Sequence, residues 1–425
     1  MSNPTSDKID WAAYEHFSGS YWVKREDTTW MRVNQQNLIL HLKQKMDWMG
    51  LASTVHKTEE NKFIVKLQQE NKVDYVGPLA GHWAGLHTIS GQGVLVTDSP
   101  KLITPAQGDF WAIEAFMKNL FGEQQYPLAL AWIKIAFDAL RSKQRRPGQC
   151  VIMAGPPEAG KSLWQDLLTS ILGGRSGKPF RYMTGKTPFN ADFFGTEHLI
   201  IEDELTSTGY RDKQRFGENL KAIAANIMHS CHGKYKQAIS LNPFWRLTLS
   251  LNDETSLAVL PKIDSSLEDK LLIFQTYKKA MPMPTATNDE RALFRKTLED
   301  QLPAFMKYLE EWTIPCELIS ARYGLTHYAN PSLMVELQSS TPEMELLGLI
   351  DRAIFYCDSI PVWEGTASQL ENDLRNFEPR LAGRLLCFNN AIGTYLGHLQ
   401  NAVPDRVRSI RNAYTRSWRI LPPNK

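Results

Sequence analysis

The segment GPPEAGKS, from Gly155 to Ser162, has residue types and a spacing suited to binding phosphate groups. It matches G-x-x-x-x-G-K-[ST] without a mismatch, after an apolar run that predicts a strand and before a pattern that predicts a helix. In such a loop backbone N–H groups surround phosphates, Lys161 neutralises the β and γ oxygens, and Ser162 ligates Mg²⁺. The predicted nucleotide-binding residues are Gly155, Pro156, Pro157, Glu158, Ala159, Gly160, Lys161, Ser162 and Leu163.

Three acidic residues follow the next apolar strand, in the segment HLIIEDEL. Nucleotide hydrolysis needs one carboxylate in the shell of the metal ion and a second that positions and deprotonates water. We assign Asp203 to the Mg²⁺ and Glu204 to the water, and Glu202 is an alternative for either role. A solvated acidic turn is the structural alternative.

Asn252 ends the later apolar run LTLSLN. An amide at the tip of a strand beside the acidic one can reach the γ-phosphate and the attacking water, although Asn before Asp-Glu is also an ordinary turn. Two GTPase-like segments, NKVD at 71–74 and DFFG at 192–195, lack the apolar strand that should precede them. We therefore attribute these two to chance.

The composition is that of a globular protein with more than one domain. A chain of 425 residues with 43% hydrophobic residues can form two to four domains, and its net charge of +2 implies no particular partner. Its five scattered cysteines form no C-x-x-C pair, which favours reduced thiols. No secretory signal is visible, and the most apolar helical stretch is interrupted by Lys134 and Asp138. These features predict a soluble cytoplasmic protein with no membrane partner.

The apolar pattern predicts the order of strands and helices. Before residue 105 it predicts strands at SYWVKRE, TWMRV, KFIVKL and GVLVTDS and a helix near LILHLKQKM. Two helices follow, WAIEAFMKNLF and PLALAWIKIAFDALRS, and the run RSKQRRPG ends the second. Apolar strands then alternate with helices, among them RFGENLKAIAANIMHS, which predicts a parallel sheet covered on both faces. Beyond Pro284 the chain is predicted helical, and EMELLGLIDRAIFY, TASQLENDLRNF and AGRLLCFNNAIGTYLGHL are three helices before a basic, strand-like end.

The ordered set GPPEAGKS, LIIEDE, HGKYKQAISLNPFW and LTLSLN resembles the superfamily 3 helicases, the AAA+ ATPases of small DNA viruses. It resembles especially the phage and plasmid primase-helicases of the poxvirus type, and parvoviral Rep proteins look similar across the same block. The resemblance covers about residues 147 to 280, and no primase motif is visible. It implies ATP and Mg²⁺ as cofactors and an α/β fold whose core is an AAA+ P-loop ATPase.

We expect five domains on this basis. They are a mixed N-terminal domain (1–105), a helical collar (106–146), the AAA+ superfamily 3 core (147–284), a helical linker or lid (285–335) and a winged-helix-like DNA-binding domain (336–425).

The segment HSCHGKYK has two interpretations. His229, Cys231 and His232 could be metal ligands, but no partner Cys or His stands at metal spacing, so a zinc site is disfavoured. We expect His229 and Cys231 to end a helix instead. The resembled family carries at this place a β-hairpin that projects into the channel of a hexameric ring and grips single-stranded DNA with lysine.

The resemblance places Lys234 and Lys236 at the hairpin lysines, with Gly233 suited to a turn. Cations there would meet phosphates without reading sequence, and Tyr235 could stack on a base or sugar. His232, beside the turn, is a further candidate DNA contact.

One position departs from the family pattern. Where the family supplies an arginine to the neighbouring subunit's γ-phosphate, the segment SLEDKLLIF has Lys270, which keeps the charge but not the planar fork. Either Lys270 acts in this way, or Arg246 or an arginine from 211 to 215 does, or the ring is a poor ATPase. Near the C-terminus, Arg406, Arg408 and Arg411 are candidate contacts to duplex DNA at an origin.

The sequence thus predicts a hexameric, ATP-dependent DNA helicase for replication of a phage, satellite or mobile element in a bacterial host. Its partners would be single-stranded DNA in the ring channel, duplex origin DNA, copies of itself, and a separate primase or host replication proteins. Two alternatives remain: a DNA-binding replication initiator or sensor with slow hydrolysis, and a P-loop phosphotransferase acting on a small molecule.

Overall fold

The computed structural model describes residues 9–48, 57–144, 146–202, 210–252, 260–261, 263–334, 341–356, 361–411 and 416–423. The chain divides into two compact units, residues 1–253 with 259–329 and residues 254–258 with 330–425. Within the described ranges no helix has the length and apolar character that crossing a membrane requires.

The N-terminal part of the first unit contains two small sheets and two helices. The elements are β1 (Ala12–Glu15), β2 (Ser20–Lys24), β3 (Trp30–Val33), α1 (Gln35–Trp48), α2 (Lys57–Glu70), β4 (Lys72–Val73), β5 (Tyr75–Gly77), β6 (Gly85–Ile89) and β7 (Gln92–Val96). One sheet has the order β3-β2-β1-β4 and the other β5-β7-β6. The strands predicted at SYWVKRE, TWMRV and GVLVTDS and the first helix are confirmed.

The predicted strand KFIVKL is wrong, because this segment lies within α2. Ile64 and Leu67 are the buried positions of this helix, three residues apart, and Phe63 packs partly buried against the same core. That spacing places both on one helix face. A short apolar run does not by itself distinguish a strand from the buried stripe of a helix.

The two helices predicted before the phosphate-binding segment form one long element, α3 (Trp111–Arg141). It is interrupted at Gly122, whose φ of 69° lies in the left-handed region that glycine tolerates. Its end at Arg141 confirms the predicted stop. The buried side of α3 packs in one core with α8 (Asn288–Glu311), a helix whose N-terminus is closed by a capping box between Thr287 and Glu290.

A six-stranded sheet forms the centre of the first unit. Its strands are β8 (Cys150–Ala154), β9 (Ser176–Gly177), β10 (His198–Ile201), β13 (Arg246–Leu251), β14 (Leu271–Gln275) and β17 (Tyr328–Ala329). The helices between them are α4 (Lys161–Ile171), α5 (Phe180–Met183), α6 (Tyr210–Ala225) and α7 (Ser265–Glu268). The order is β17-β14-β8-β13-β10-β9 and every pairing is parallel. All residues of β8, β10 and β13 are buried, so the predicted parallel sheet with covered faces is confirmed.

A hairpin of β11 (His229–Cys231) and β12 (Ile239–Leu241) lies between α6 and β13 in the chain, and β15 (Ile319–Ser320) and β16 (Gly324–Leu325) form a second short pair. The expectation that His229 and Cys231 end a helix is wrong. The helix α6 ends at Ala225, and antiparallel pairing puts Cys231 opposite Ile239, where both are buried. Burial through this cross-strand pair outweighs the helical tendency of the preceding residues.

The second unit is a helical cluster with a three-stranded antiparallel sheet. Its elements are α9 (Pro342–Ala353), β18 (Trp363–Thr366), α10 (Ala367–Phe377), α11 (Pro379–Leu385), α12 (Ala391–Ala402), β19 (Val407–Arg411) and β20 (Arg416–Ile420), and the sheet order is β18-β20-β19. The segment AGRLLCFNNAIGTYLGHL contains parts of two helices rather than the single one predicted. Asn390, with φ 61°, separates them in a conformation that asparagine tolerates.

Candidate nucleotide site and hairpin

The loop from Gly155 to Gly160 connects the end of β8 to the start of α4 at the carboxyl edge of the sheet. A Cβ on Gly155 would stand 2.3 Å from the carbonyl oxygen of Thr276, and one on Gly160 would stand 2.7 Å from the ring of Phe116. Gly160 also has a φ of 101°. Both glycines are therefore sterically required, and the loop follows a close path around the N-terminus of α4.

Lys161 lies over this loop with only 6% of its surface exposed. Its Nζ donates to the carbonyl oxygens of Gly155 and Pro156, each at 2.8 Å. Ser162 is exposed in the first turn of α4, whereas Leu163 packs against the main core and contributes its backbone to the turn. A buried ammonium, a helix N-terminus and an exposed hydroxyl form a set that fits a nucleoside polyphosphate with Mg²⁺.

The acidic strand and the asparagine strand end at the same edge as the loop. β13 pairs with β8 on one side and with β10 on the other, so Asn252 follows the strand that lies between the one before the loop and the one before Glu202. Glu202 comes directly after β10, and its Oε2 accepts a hydrogen bond of 2.8 Å from Lys178. Asp203 and Glu204 lie outside the described residues.

A buried polar network lies between α4 and the two strands. The imidazole of His198 is hydrogen-bonded to Thr169 Oγ1 at 2.7 Å and to Thr248 Oγ1 at 2.8 Å, and Gln165 Nε2 also donates to Thr248 Oγ1. Burial lowers the pKa of His198 from 6.5 to about 3. The imidazole is therefore neutral at physiological pH, and its hydrogen bonds connect β10 to α4 and to β13.

We expect the free energy of unfolding to fall as the pH drops below 6.5. The unfolded chain binds a proton at His198 near pH 6.5, and the folded chain does not do so until about pH 3. Between these values the loss is about 1.4 kcal/mol per pH unit from this group. Urea unfolding followed by tryptophan fluorescence at pH 7.5 and 5.5 measures it.

The variant His198→Gln is the control for this pH dependence, because other groups titrate equally in both proteins. Its loss of stability between pH 7.5 and 5.5 should be smaller than that of the wild type by about 1.4 kcal/mol. Identical pH dependence in the two proteins would contradict the assignment.

Lys270 is placed at the amino end of β14, at the opposite edge of the sheet from the phosphate-binding loop. It is buried, and its Nζ donates to the Ser266 carbonyl at 2.6 Å and to Asp269 Oδ1 at 2.7 Å. These contacts hold the Lys270 ammonium against its own chain, and its action on a neighbouring subunit stays a prediction. Lys270 stands at the sequence position where the resembled family has its arginine, but the sequence alone did not reveal that the Lys270 side chain is buried.

The alternative Arg246 is also buried, at the amino end of β13. Its NH1 donates to the carbonyl oxygens of Arg146 and Trp245, and burial lowers its pKa to about 10. Arg215 differs from both, since it lies on α6 and is exposed, with a 3.4 Å hydrogen bond from its NH1 to the Gly185 carbonyl. The side chain of Arg211 lies outside the described part of the chain.

The tip of the hairpin presents Lys234, Tyr235 and Lys236 to solvent. Tyr235 is 93% exposed and has a φ of 60°, and the Nζ of Lys234 lies 5.1 Å from the centre of its ring. A left-handed backbone at a tyrosine is uncommon and costs free energy. Gly233 lies in the turn as expected, since its carbonyl accepts from the Lys236 N–H at 3.2 Å, although a Cβ placed on it would meet its nearest neighbours at an ordinary 3.6 Å or more. Tyr235 rather than Gly233 therefore carries the unusual conformation.

The base of the hairpin is hydrogen-bonded to the loop that contains Phe189 and Asn190, which the sequence analysis did not identify. Asn190 Nδ2 donates to the Ser230 carbonyl at 2.8 Å, and its Oδ1 accepts from the His232 N–H at 2.7 Å. Next to it, Phe189 is 37% exposed, with its ring 5.2 Å from that of His232. One aromatic residue in a polar loop gives no distinctive sequence signal, so only the fold reveals this neighbour of the hairpin.

The other residues of the metal interpretation have packing roles. The ring of His229 lies 4.5 Å from that of Trp245, and burial raises the pKa of the Cys231 thiol to about 12. Within the described ranges no group of three or more His, Cys, Asp and Glu residues is arranged to hold a metal ion.

In the second unit the predicted DNA contacts differ from one another. Arg406 forms a bidentate pair with Asp351, at 2.5 and 3.2 Å, and also donates to the Leu421 carbonyl, so these partners would compete with the DNA contact that stays a prediction for it. Arg408 is largely exposed, with its Nε bonded to the Pro404 carbonyl. The side chain of Arg411 lies outside the described residues.

Comparison with known proteins supports the fold. Residues 153–273 match the model of a family of unknown function, DUF5906. No curated protein matches the chain. The C-terminal region of NrS-1, residues 305–718 in the apo form, is similar with a TM-score of 0.53 and 14% identity, over 97% of this chain and 96% of that one.

Two further solved structures were compared. The A form of the same NrS-1 region gives a TM-score of 0.52 at 13% identity, covering 95% of this chain and 94% of that one. A JCV helicase bound to a small molecule gives a TM-score of 0.26 at 14% identity, covering 56% of this chain and 61% of that one. The NrS-1 structures therefore support the fold described above, a mixed α/β protein with a central parallel sheet.

Proposed function

We propose that this chain is an ATP-driven DNA helicase that acts as a ring of identical subunits, six by family resemblance, in the replication of a phage, satellite or other mobile element. The observation that carries the proposal is the presence, in one compact unit, of a phosphate-binding loop and of a hairpin that exposes Lys234, Tyr235 and Lys236. Similarity in fold to the NrS-1 region over nearly the whole chain supports it.

Residues at the carboxyl edge of the sheet would bind ATP with Mg²⁺ and catalyse its hydrolysis. ATP bound with Mg²⁺ supplies the free energy for movement along DNA. Lys161 would exchange its two carbonyl partners for the β and γ oxygens, and the exposed hydroxyl of Ser162 would ligate the ion. We assign Asp203 to the metal shell, Glu204 to the attacking water, and Asn252 to orienting that water and the γ-phosphate.

The hairpin and its neighbouring loop would hold single-stranded DNA. Lys234 and Lys236 would contact phosphates, which gives affinity without sequence preference. The exposed rings of Tyr235 and Phe189 would stack on bases or sugars, with His232 beside them. The second unit, with its helices and three-stranded sheet, would be a winged-helix-like domain in which Arg408 contacts duplex DNA.

A replication initiator that uses ATP to assemble and hydrolyses it slowly is the second candidate. It is favoured by the burial of both Lys270 and Arg246, because fast turnover in a ring needs a cation that reaches the neighbouring site. Arg215, exposed on α6, is the described arginine of the 211–215 segment that could still serve in this way.

ATPase activity measured with and without single-stranded DNA, together with the particle size in ATP, tests the function. Strong stimulation by DNA in a ring supports the helicase. Ring formation with slow, unstimulated turnover supports the initiator instead. A third outcome would contradict both proposals: no ring, no stimulation by DNA, and transfer of phosphate to a small acceptor. The chain would then be a phosphotransferase.

A further inference from the structure

A cation that no sequence motif assigns lies at the mouth of the phosphate-binding loop. Lys278 follows the end of β14, and its Nζ donates to Oε2 of Glu158, a loop residue, at 2.8 Å. The side chains are 53% and 81% exposed, so the pair lies on the open side of the loop. β14 is the neighbour of β8 on the side away from β13, and this side of the site has no residue assigned above.

The backbone that leads to Lys278 is held against the loop. The Thr276 N–H donates to the Ala154 carbonyl at 2.7 Å, and the Tyr277 N–H donates to the Leu120 carbonyl at 3.0 Å. The contact of Gly155 with the Thr276 carbonyl, too close for a Cβ, brings this segment directly beside the start of the loop. The flexible stem of Lys278 therefore extends from a fixed point next to the place where phosphates would bind.

Glu158 is an unexpected residue in such a loop. It has a φ of 61°, which disfavours a residue with a Cβ, and it places a carboxylate where anions would enter. Its hydrogen bond and charge interaction with Lys278 lower its pKa, so it stays ionised. A carboxylate at this position repels phosphate and competes for the lysine.

We propose that Lys278 is a second polyphosphate-binding cation, held at the mouth of the loop by Glu158 until a nucleoside diphosphate or triphosphate enters. The proposal rests on the nucleotide site proposed above. Entry of the anion would transfer the ammonium from the carboxylate to phosphate oxygens, exchanging one charge-assisted hydrogen bond for another. Glu158 thereby lowers nucleotide affinity, and Lys278 raises it.

Calorimetric titration of the full chain with ATP and with ADP, both in the presence of Mg²⁺, tests this exchange. We expect Lys278→Gln to weaken binding roughly tenfold, which corresponds to one charge-assisted hydrogen bond. Glu158→Gln should strengthen binding a fewfold, because it removes both the repulsion and the competing partner. Lys279→Gln, a change of the same charge at the next exposed lysine, is the matched control and should leave the affinity unchanged.

The double variant separates phosphate binding by Lys278 from mere neutralisation of Glu158. If the lysine binds phosphate, Lys278→Gln still weakens binding severalfold in the Glu158→Gln background. If it only neutralises the carboxylate, the substitution has no effect there, and the proposal is overturned. A wild-type chain that binds neither nucleotide contradicts the proposed function itself, which is a distinct outcome.

Discussion

Replacing Lys161 by alanine is expected to weaken ATP binding by roughly a hundredfold and to abolish turnover. The ammonium lies buried over the loop and would form charge-assisted hydrogen bonds with the β and γ oxygens. Two such bonds, at about 1.5 kcal/mol each or more, account for this factor. Calorimetric titration with ATP and Mg²⁺ measures the affinity, and phosphate release measures the turnover.

The variant Lys161→Met controls for packing, because it keeps most of the buried stem and removes only the charge. Alanine also leaves the carbonyls of Gly155 and Pro156 without this donor, so thermal unfolding is recorded for each variant. If both variants lose ATP binding and their unfolding temperatures change little, the loss is due to the missing ammonium of Lys161. If the methionine variant binds ATP as the wild type does, the nucleotide site lies elsewhere.

Replacing Lys234 and Lys236 together by alanine is expected to leave basal ATPase activity unchanged and to remove its stimulation by DNA, with loss of unwinding. Both side chains are exposed at the hairpin tip, away from the main core. Each phosphate contact on a single strand contributes a slope of roughly 0.7 to the dependence of log affinity on log salt. The double variant should therefore reduce this slope by about 1.4, as measured by anisotropy of a labelled oligothymidylate.

Lys296→Ala, a change at an exposed lysine on α8, is the control for general loss of positive charge. It should preserve stimulation and nearly preserve the salt dependence. If the hairpin variant unwinds DNA normally, the DNA contacts belong to other residues. The assignment of Lys234 and Lys236 to DNA binding is then wrong.

The sequence was most informative where burial and local pattern agree. The apolar runs CVIMA, HLII and RLTLSL are buried on both faces, so their type could be predicted without knowledge of their neighbours. The predicted strand, glycine-rich loop and helix also stand in that order, and Gly155 and Gly160 lie where a Cβ would be too close to Thr276 and Phe116; nucleotide binding by this loop stays a prediction. From the sequence, Asn252 was expected at the end of a strand beside the acidic one, and β13 does pair with β10.

Prediction failed where long-range contacts decide. Cys231 is buried opposite Ile239 across the hairpin, and KFIVKL lies in a helix that buries Ile64 and Leu67 on one face against other elements. The burial of Lys270 depends on Ser266 and Asp269, and nothing in a local pattern distinguishes a lysine that reaches solvent from one that turns back onto its own chain. Whether an individual lysine or arginine side chain is exposed or buried could therefore be determined only from the structure.

The position of β13 has a mechanical consequence. The strand begins at Arg246, shortly after the end of the hairpin at Leu241, and it ends beside the phosphate-binding loop. Its six residues span roughly 20 Å and are bonded to strands on both sides, so the strand resists bending. We expect β13 to move as a rigid element that connects Asn252 at its carboxyl end to the base of the hairpin at its amino end. In the proposed helicase, a displacement at the nucleotide would therefore reach the hairpin through one length of backbone.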